Sequence, residues 1–600
     1  MKVGEHREAL VERVRFLSQL FVALLATIAA CFWFVQVVRG SHYRGLAENN
    51  RLRKVPIRAP RGIIYDRGGR ALLENVASYD LLLDPTRTRD LEASLGFAGA
   101  LLGRPPEELR ALLVREQAAG AGLGPVLLAQ NLRLSDVARF GVHSLEHPEF
   151  EIEVGHLRLY RHGEQTAHVL GYLGEVTATE LEAADGAHDS GELVGRKGIE
   201  QHYDAELRGA AGQRVVVVDS RGRLLEEHLG HAARPGRDLR LTLDLELQQQ
   251  TERAFAADGK VGAVVALDPR SGAVRALVSS PAYNPNLFTR RLAPEEWQAL
   301  ITSPHHPLQN RALQNTYAPG SVFKIVMAVA GLSERVVAPG DGVYCSGAAS
   351  FYGHRFRCWR RGGHGRVDLH AALRGSCDVY FYHLGQKLGI ERIARYARLF
   401  GHGERTGIDL EGEKSGLVPS PGWSLAVRKH PWYPGETISV AIGQGPVLVT
   451  PLQVATLLAA VANGGYRITP HLVPAAARPA AKLPLDAEAL ARVRHGLWAV
   501  VNERGTAAQA RVEGLDVAGK TGTVQVVQQK TWTESRDLPY EQRDHAWFAS
   551  FAPVRDPGLV VVVFVEHGGK GSAVAAPIAK VVHETYFRDD LRAHRQPAAR

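Results

Sequence analysis

The sequence predicts an α+β protein, an antiparallel sheet flanked by helices, with an N-terminal elongated α+β pedestal and one transmembrane helix ahead of it. Three observations carry this. Two hairpin patterns, residues 262–278 around Asp268-Pro269…Gly272 and residues 547–566 around Asp556-Pro557-Gly558, are apolar runs broken by turn formers. Helical patterns precede, separate and follow them, unlike the regular alternation of a βαβ protein. Near the start, residues 16–38 carry no charge.

The first fifteen residues form a short polar tail. A helix over 16–38 spans about 30 Å of hydrocarbon. A cleaved signal would end sooner and in small residues, whereas this run continues through Phe32-Trp33-Phe34-Val35, so it is expected to stay as an anchor. The same continuation beyond Cys31 argues against lipidation at Ile28-Ala29-Ala30-Cys31. Basic residues flank the run on both sides, so charge alone leaves its orientation open. Residues 43–58 are basic and expected to be helical in part. Pro60 and Gly62 bracket an extended stretch, and Gly68-Gly69 signals a hairpin. Residues 77–83 read as a strand, 105–140 as helical, 200–207 as a charged helix, 215–218 and 239–243 as strands. The turn-rich 233–237 places a boundary at Gly236, giving a pedestal of 39–236 and a second domain of 237–588. In that domain 244–256 is a helix. Residues 450–462 form another, with Thr450 as N-cap, Pro451 first inside, Gln453 completing a capping box and Asn463-Gly464-Gly465 as stop. A last helix covers 577–587, and 589–600 is a disordered tail.

Six hundred residues exceed one core and imply two to four domains. The net charge of +9 comes without any basic cluster interleaved with aromatics, so a solvated surface is expected and no nucleic acid.

The chemistry lies in three short motifs. Ser321-Val322-Phe323-Lys324 follows Pro319-Gly320 and heads an apolar run. A serine and a lysine one turn apart share a helix face, which suits a serine activated by a lysine. Ser376-Cys377-Asp378 and Lys520-Thr521-Gly522-Thr523 follow in that order, matching a known set in penicillin-binding proteins and class A β-lactamases. In this reading Ser321 is the nucleophile and Lys324 takes its proton, with its pKa lowered by burial near a second cation, Lys520. Ser376 relays protons. Thr521, Gly522 and Thr523 lie on an edge strand, where the hydroxyls and the Lys520 charge suit a terminal carboxylate. The backbone N–H groups of Ser321 and Thr523 form an oxyanion hole.

With these motifs the chain resembles class B penicillin-binding proteins, the membrane-anchored peptidoglycan D,D-transpeptidases, and within them the elongation-type penicillin-binding protein 2 branch. Pro60-Arg61-Gly62-Ile63-Ile64-Tyr65-Asp66-Arg67 and Gly195-Arg196-Lys197-Gly198-Ile199-Glu200-Gln201 are similar to pedestal motifs. Gly443-Gln444-Gly445, Thr450-Pro451-Leu452-Gln453 and Asp544-His545-Ala546-Trp547-Phe548 are similar to transpeptidase-domain motifs. Asp378 stands where the wider superfamily has Asn, as is common in the elongation branch. The resemblance implies a serine acyl-enzyme made from the D-Ala-D-Ala end of a stem peptide, cross-linking to a neighbouring stem during cell elongation, and acylation by β-lactams. It also implies a single-pass protein of the inner (cytoplasmic) membrane with its catalytic domain in the periplasm. A SEDS-type, RodA-like glycosyltransferase and the elongation complex are the implied partners.

Three of the four cysteines, Cys345, Cys358 and Cys377, fall close together, with His364 among them. Three thiols cannot all pair with one another, and three thiolates with one imidazole complete a structural zinc shell. Some elongation-type relatives hold zinc at matching positions. The alternative is a Cys345–Cys358 disulfide with Cys377 free, and His354 or His370 could replace His364. Zinc is the expectation.

Rival functions are a D,D-carboxypeptidase or β-lactamase of the same fold, a β-lactam sensor and a division-type transpeptidase. The anchor and long pedestal weigh against the first two enzymes, the single span against a sensor, and Asp378 with the 544–548 motif against the division type.

Overall fold

The structure, a computed structural model, describes residues 2–41, 43, 52–57, 59–116, 125–177, 179–180, 192–218, 224–290, 292–527 and 534–595. The chain forms two compact units, Met1–Arg61 with Arg208–Gly236, and Gly62–Leu207 with Arg237–Arg600.

The first unit holds a helix over Lys2–Trp33 that widens into a π-type turn at Phe34–Val38. Within it Leu10–Val38, with mean hydropathy 2.3, is long and apolar enough to cross a membrane. The unit also holds an antiparallel sheet of Leu52–Ile57, Gly212–Val218 and Leu224–His231. The segment 43–58, expected to be helical in part, is helical at Tyr43 and a strand over Leu52–Ile57, with Leu52 opposite Val217 and Val55 opposite Arg214. Its partners are distant in sequence, so local pattern could not reveal it. Residues 44–51 and 58 of that segment lie outside the described residues.

In the second unit, the long strand Ala71–Leu83 pairs antiparallel with Phe150–Tyr160, Val126–Ala129 and Ile64–Tyr65. Asp66, fully buried, holds the Gly68-Gly69 turn by accepting from the N–H groups of Gly68 and Arg70, both at 2.8 Å. The expected helical stretch 105–140 is two helices, Pro106–Glu116 and Leu134–Val142, with the strand Val126–Ala129 between them. That strand exists because Leu83 and Leu82 pair with Val126 and Leu127, a contact set by the sheet and not by propensity.

The rest of this unit is built on one five-stranded sheet. Its principal elements in chain order are α1 (Leu245–Ala256), β1 (Gly262–Leu267), β2 (Val274–Ser280), α2 (Lys324–Ser333), α3 (Leu369–Gly375), α4 (Asp378–Leu399), α5 (Pro451–Ala462), α6 (Ala487–Asn502), β3 (Ala518–Val524), β4 (His545–Ala552), β5 (Leu559–Val565), α7 (Gly571–Tyr586) and α8 (Arg588–Arg595). The strand order is β2-β1-β5-β4-β3, antiparallel throughout, which leaves β3 at an edge. Strand periodicity sends alternate residues to opposite faces. From β5, Val560, Val562 and Phe564 join the core that includes α2 and α5, while Val561 and Val563 join the one that includes α1 and α7. Each such buried side chain stabilises the fold by about 1.5–3 kcal/mol.

Local signals set several boundaries. Asp244 caps α1 through the Leu247 N–H. Thr450 and Gln453 make the expected reciprocal capping box on α5. Two expectations at the C-terminus fail. The last long helix starts at Gly571, with Pro577 inside its first two turns, and a further helix, α8, occupies the first part of the expected tail. Leu591 holds α8 by burying itself in the core beside α7, a single apolar anchor in a charged segment. Residues 596–600 lie outside the described residues.

Candidate active site and the adjoining thiol cluster

Ser321 sits in a tight turn, Gly320–Phe323, that runs directly into α2. Gly320 has φ +54°, a left-handed conformation that favours glycine. Its N–H donates to Gly443 O at 2.9 Å, and a Cβ on it would lie 2.9 Å from Thr523 O. The Gly443-Gln444-Gly445 motif thus seats the turn from one side and β3 from the other. Gly522 has a structural reason to be glycine as well: a Cβ there would meet Trp547 Cβ at 2.9 Å and Pro319 O at 3.2 Å. Trp547 Nε1 donates to Ala318 O at 3.1 Å, tying β4 to the same turn.

The three motifs converge. Lys324 is fully buried, and its Nζ donates to Asp378 Oδ1 at 2.6 Å, Ser376 O at 3.0 Å and Ser376 Oγ at 3.2 Å. Lys520, also fully buried, donates to the same Ser376 Oγ at 2.9 Å and to Thr521 O at 3.2 Å. One hydroxyl therefore bridges two ammonium groups. Ser321 is half-buried, and among the described residues its hydroxyl has no hydrogen-bond partner. All three ammonium donors of Lys324 are taken by Asp378 and Ser376, so Lys324 makes no hydrogen bond to Ser321. The basicity of Lys520 is pushed well below the usual lysine range, by burial first and by the Lys324 charge second, with Asp378 offsetting part.

Ser376 caps α3 with φ +54°, a strained conformation for a non-glycine residue that persists only where neighbours fix it. Asp378 opens α4 and uses both carboxylate oxygens: Oδ1 faces Lys324, and Oδ2 accepts from the Trp359 N–H at 2.9 Å. An asparagine could satisfy only one of these two donors with its single oxygen. Thr521 lies on β3 and is nearly buried. Its Oγ1 is 2.8 Å from that of Thr506, just beyond α6. Thr523 is more open.

The four residues predicted as metal ligands also come together. The Sγ atoms of Cys345, Cys358 and Cys377 and a ring nitrogen of His364 all lie within 4.8 Å of one another. The thiols are buried and free, so the alternative Cys345–Cys358 disulfide is not formed. His364 Nδ1 is 3.7 Å from Cys345 Sγ and 3.5 Å from Cys358 Sγ, while its Nε2 meets Gly375 O at 3.1 Å. The two substitutes considered for His364 stand elsewhere: His354 is exposed, and His370 pairs with Glu503 at 3.1 Å. The hydrogen bond between the two thiols is the main cause that lowers the pKa of Cys358 and raises that of Cys377. Tetrahedral zinc with Zn–S near 2.3 Å separates its sulfurs by about 3.8 Å, so this donor set fits such an ion.

Sequence reasoning missed Trp359 and Thr506. Neither belongs to a motif, and each acts on a residue far from it in the chain. The only local hint was that Trp359 follows Cys358.

The sequence matches the family model of the penicillin binding protein transpeptidase domain over residues 262–584, and that of the penicillin-binding protein dimerisation domain over 56–241. The chain belongs to the penicillin-binding protein transpeptidases. It is 33% identical to the peptidoglycan D,D-transpeptidase MrdA of Haemophilus influenzae over 98% of this chain and 94% of that one. Among solved structures it is similar to the penicillin-binding protein PBP2 of Helicobacter pylori in complex with MreC, with TM-score 0.79 and 28% identity over 90% of this chain and 99% of that one. It is also similar to a chain in a peptidoglycan synthase complex that coordinates polymerization and crosslinking, with TM-score 0.72 and 32% identity over 96% and 98% of the two chains.

Proposed function

We propose that this protein is a peptidoglycan D,D-transpeptidase that cross-links stem peptides during cell elongation. The observation that carries the reading is the single hydroxyl of Ser376 held between the buried Lys324 and Lys520, one short turn from the half-buried Ser321. Ser321 Oγ attacks the carbonyl carbon of the penultimate D-Ala, and its proton passes to Lys324 once that amine is neutral. Ser376 and Lys520 carry the proton on to the departing D-Ala amine as the peptide C–N bond breaks. An amine from a neighbouring stem then attacks the Ser321 ester, the new amide forms, and the proton returns to Ser321. The Ser321 and Thr523 N–H groups stabilise the oxyanion in both steps. Thr521, Gly522 and Thr523 receive the terminal carboxylate beside Lys520. β-Lactams acylate Ser321 in place of the peptide.

Cys345, Cys358, His364 and Cys377 would hold a zinc ion, which would supply a structural brace between the loop around residues 345–364 and the start of α4. The Gly375 carbonyl fixes the His364 ring by accepting from Nε2.

Residues 1–15 lie in the cytoplasm and 16–38 cross the inner membrane. The pedestal of 39–236 carries the transpeptidase domain of 237–588 into the periplasm. What supports this placement is the apolar helix and the D,D-transpeptidase relative. A RodA-like glycosyltransferase and the elongation complex are the proposed partners. The similarity to chains solved in a peptidoglycan synthase complex and with MreC supports them.

The test supplies the full-length protein with polymerised glycan bearing D-Ala-D-Ala stems. Release of D-Ala together with cross-linked stem dimers is the expected result. Release without dimers would make the protein a carboxypeptidase.

A further inference from the structure

We infer that Trp359 is a positioning residue for the acylation step, its indole N–H sharing the Ser376 carbonyl with Lys324 and its backbone N–H holding Asp378. The inference rests on the roles proposed above for Ser321, Lys324 and Ser376.

Trp359 is about half exposed (53%), an unfavourable place for so large an apolar side chain unless its polar groups are needed there. Both of its N–H groups point at the catalytic motif. The backbone N–H donates to Asp378 Oδ2 at 2.9 Å. The indole Nε1 is shared between Gly375 O and Ser376 O, both at 3.1 Å. The Ser376 carbonyl also accepts from Lys324 Nζ at 3.0 Å, so the indole and the ammonium grip one oxygen together. On its other side the ring packs edge-on against His364, with centroids 5.6 Å apart.

This oxygen belongs to the residue with the left-handed φ of +54°, whose side chain must lie between two lysines. Such a conformation costs about 1–3 kcal/mol and is kept only by surrounding bonds. Backbone bonds Ser376 N–H to Leu373 O (3.2 Å) and Cys377 N–H to Ala372 O (2.9 Å) fix the α3 side of the peptide. On the carbonyl side Trp359 and Lys324 share the oxygen. Without the indole N–H that oxygen is held by Lys324 alone, which loosens the placement of the Ser376 hydroxyl between Lys324 and Lys520. The residue thus transmits the order of the thiol-cluster loop to the proton path, without touching substrate.

The experiment follows acylation of the full-length protein by a fluorescent penicillin, separating the acylation rate constant from non-covalent affinity, and measures metal content alongside. Trp359→Phe keeps the ring and the backbone N–H but loses the indole donor. The acylation rate constant should fall about fivefold, the size of one lost hydrogen bond, with affinity and metal content unchanged. Trp359→His, which retains a ring N–H, should recover part of the rate. An unchanged rate in Trp359→Phe overturns the inference, and so does a rate loss that follows loss of metal, because the residue would then serve only the loop. Ser321→Ala in the same series separates the two levels. If Ser321→Ala does not label while Trp359→Phe labels at the wild-type rate, the positioning role fails and the nucleophile assignment stands. If Ser321→Ala labels normally, the underlying assignment fails.

Discussion

Two buried polar clusters meet at residues 376–378, and they are built on opposite principles. Around Ser376 Oγ, two lysines and one carboxylate put unlike and like charges within hydrogen-bond reach, beside the half-buried Ser321. Around Cys377, three thiols and an imidazole close on one another, with their remaining polar atom, His364 Nε2, already satisfied by Gly375 O. In the proposed mechanism the first cluster keeps a proton mobile, because burial and the Lys324 charge lower the basicity of Lys520 beside the shared hydroxyl. In the same proposal the second cluster has nothing to move and holds in place the backbone on which the first depends. Adjacent residues of one tripeptide, Ser376 and Cys377, thus serve reactivity and rigidity separately.

If that division is right, damage to the two clusters should look different. The largest effect is expected from Lys324→Met, which should slow penicillin acylation about a thousandfold while leaving metal content at the wild-type level. Metal analysis beside stopped-flow acylation checks it. A parallel loss of metal would mean that the two clusters are one unit. Next comes Cys358→Ser. Metal content should fall well below one ion per chain and the unfolding temperature should drop, with acylation slowed only about tenfold.

A third, smaller effect concerns pH. Lys520 has its folded-state pKa lowered well below 10.5, so the unfolded chain binds more protons between that lowered value and 10.5. Stability should therefore rise with pH across that window, and the contribution is lost as pH falls through the folded pKa. Denaturant unfolding of Lys520→Met at several pH values should show a shallower rise than wild type. An identical slope would place the depressed group elsewhere. The smallest expected effect is at Thr506→Val, which removes the hydroxyl partner of Thr521 and should lower acylation efficiency about fivefold. No change would mean that Thr521 is held by β3 alone.

The parts of this design that were legible in the sequence are those set by local spacing. Ser321 and Lys324 are one turn apart, Ser376-Cys377-Asp378 is contiguous, and the α5 capping box is complete within four residues. The edge position of the strand that carries Lys520–Thr523 was also expected. What stayed hidden depends on contacts across the fold. The second role of Asp378 requires Trp359, and the Thr521 hydroxyl requires Thr506. The strands Leu52–Ile57 and Val126–Ala129 exist only because distant strands pair with them. The helix α8 exists because Leu591 finds a core that the charged sequence around it does not announce. Even for the lysine pair, the lowered basicity of Lys520 comes from its full burial beside Lys324, which motif spacing does not show.

The central claim is that Ser321 is the nucleophile served by this charged cluster. Its direct test is fluorescent-penicillin labelling of wild type and Ser321→Ala, followed by mass spectrometry of the labelled peptide. Wild type should carry one adduct, on the peptide containing Ser321, and Ser321→Ala should carry none. An adduct on Ser321→Ala, or on another peptide of the wild type, would contradict the account.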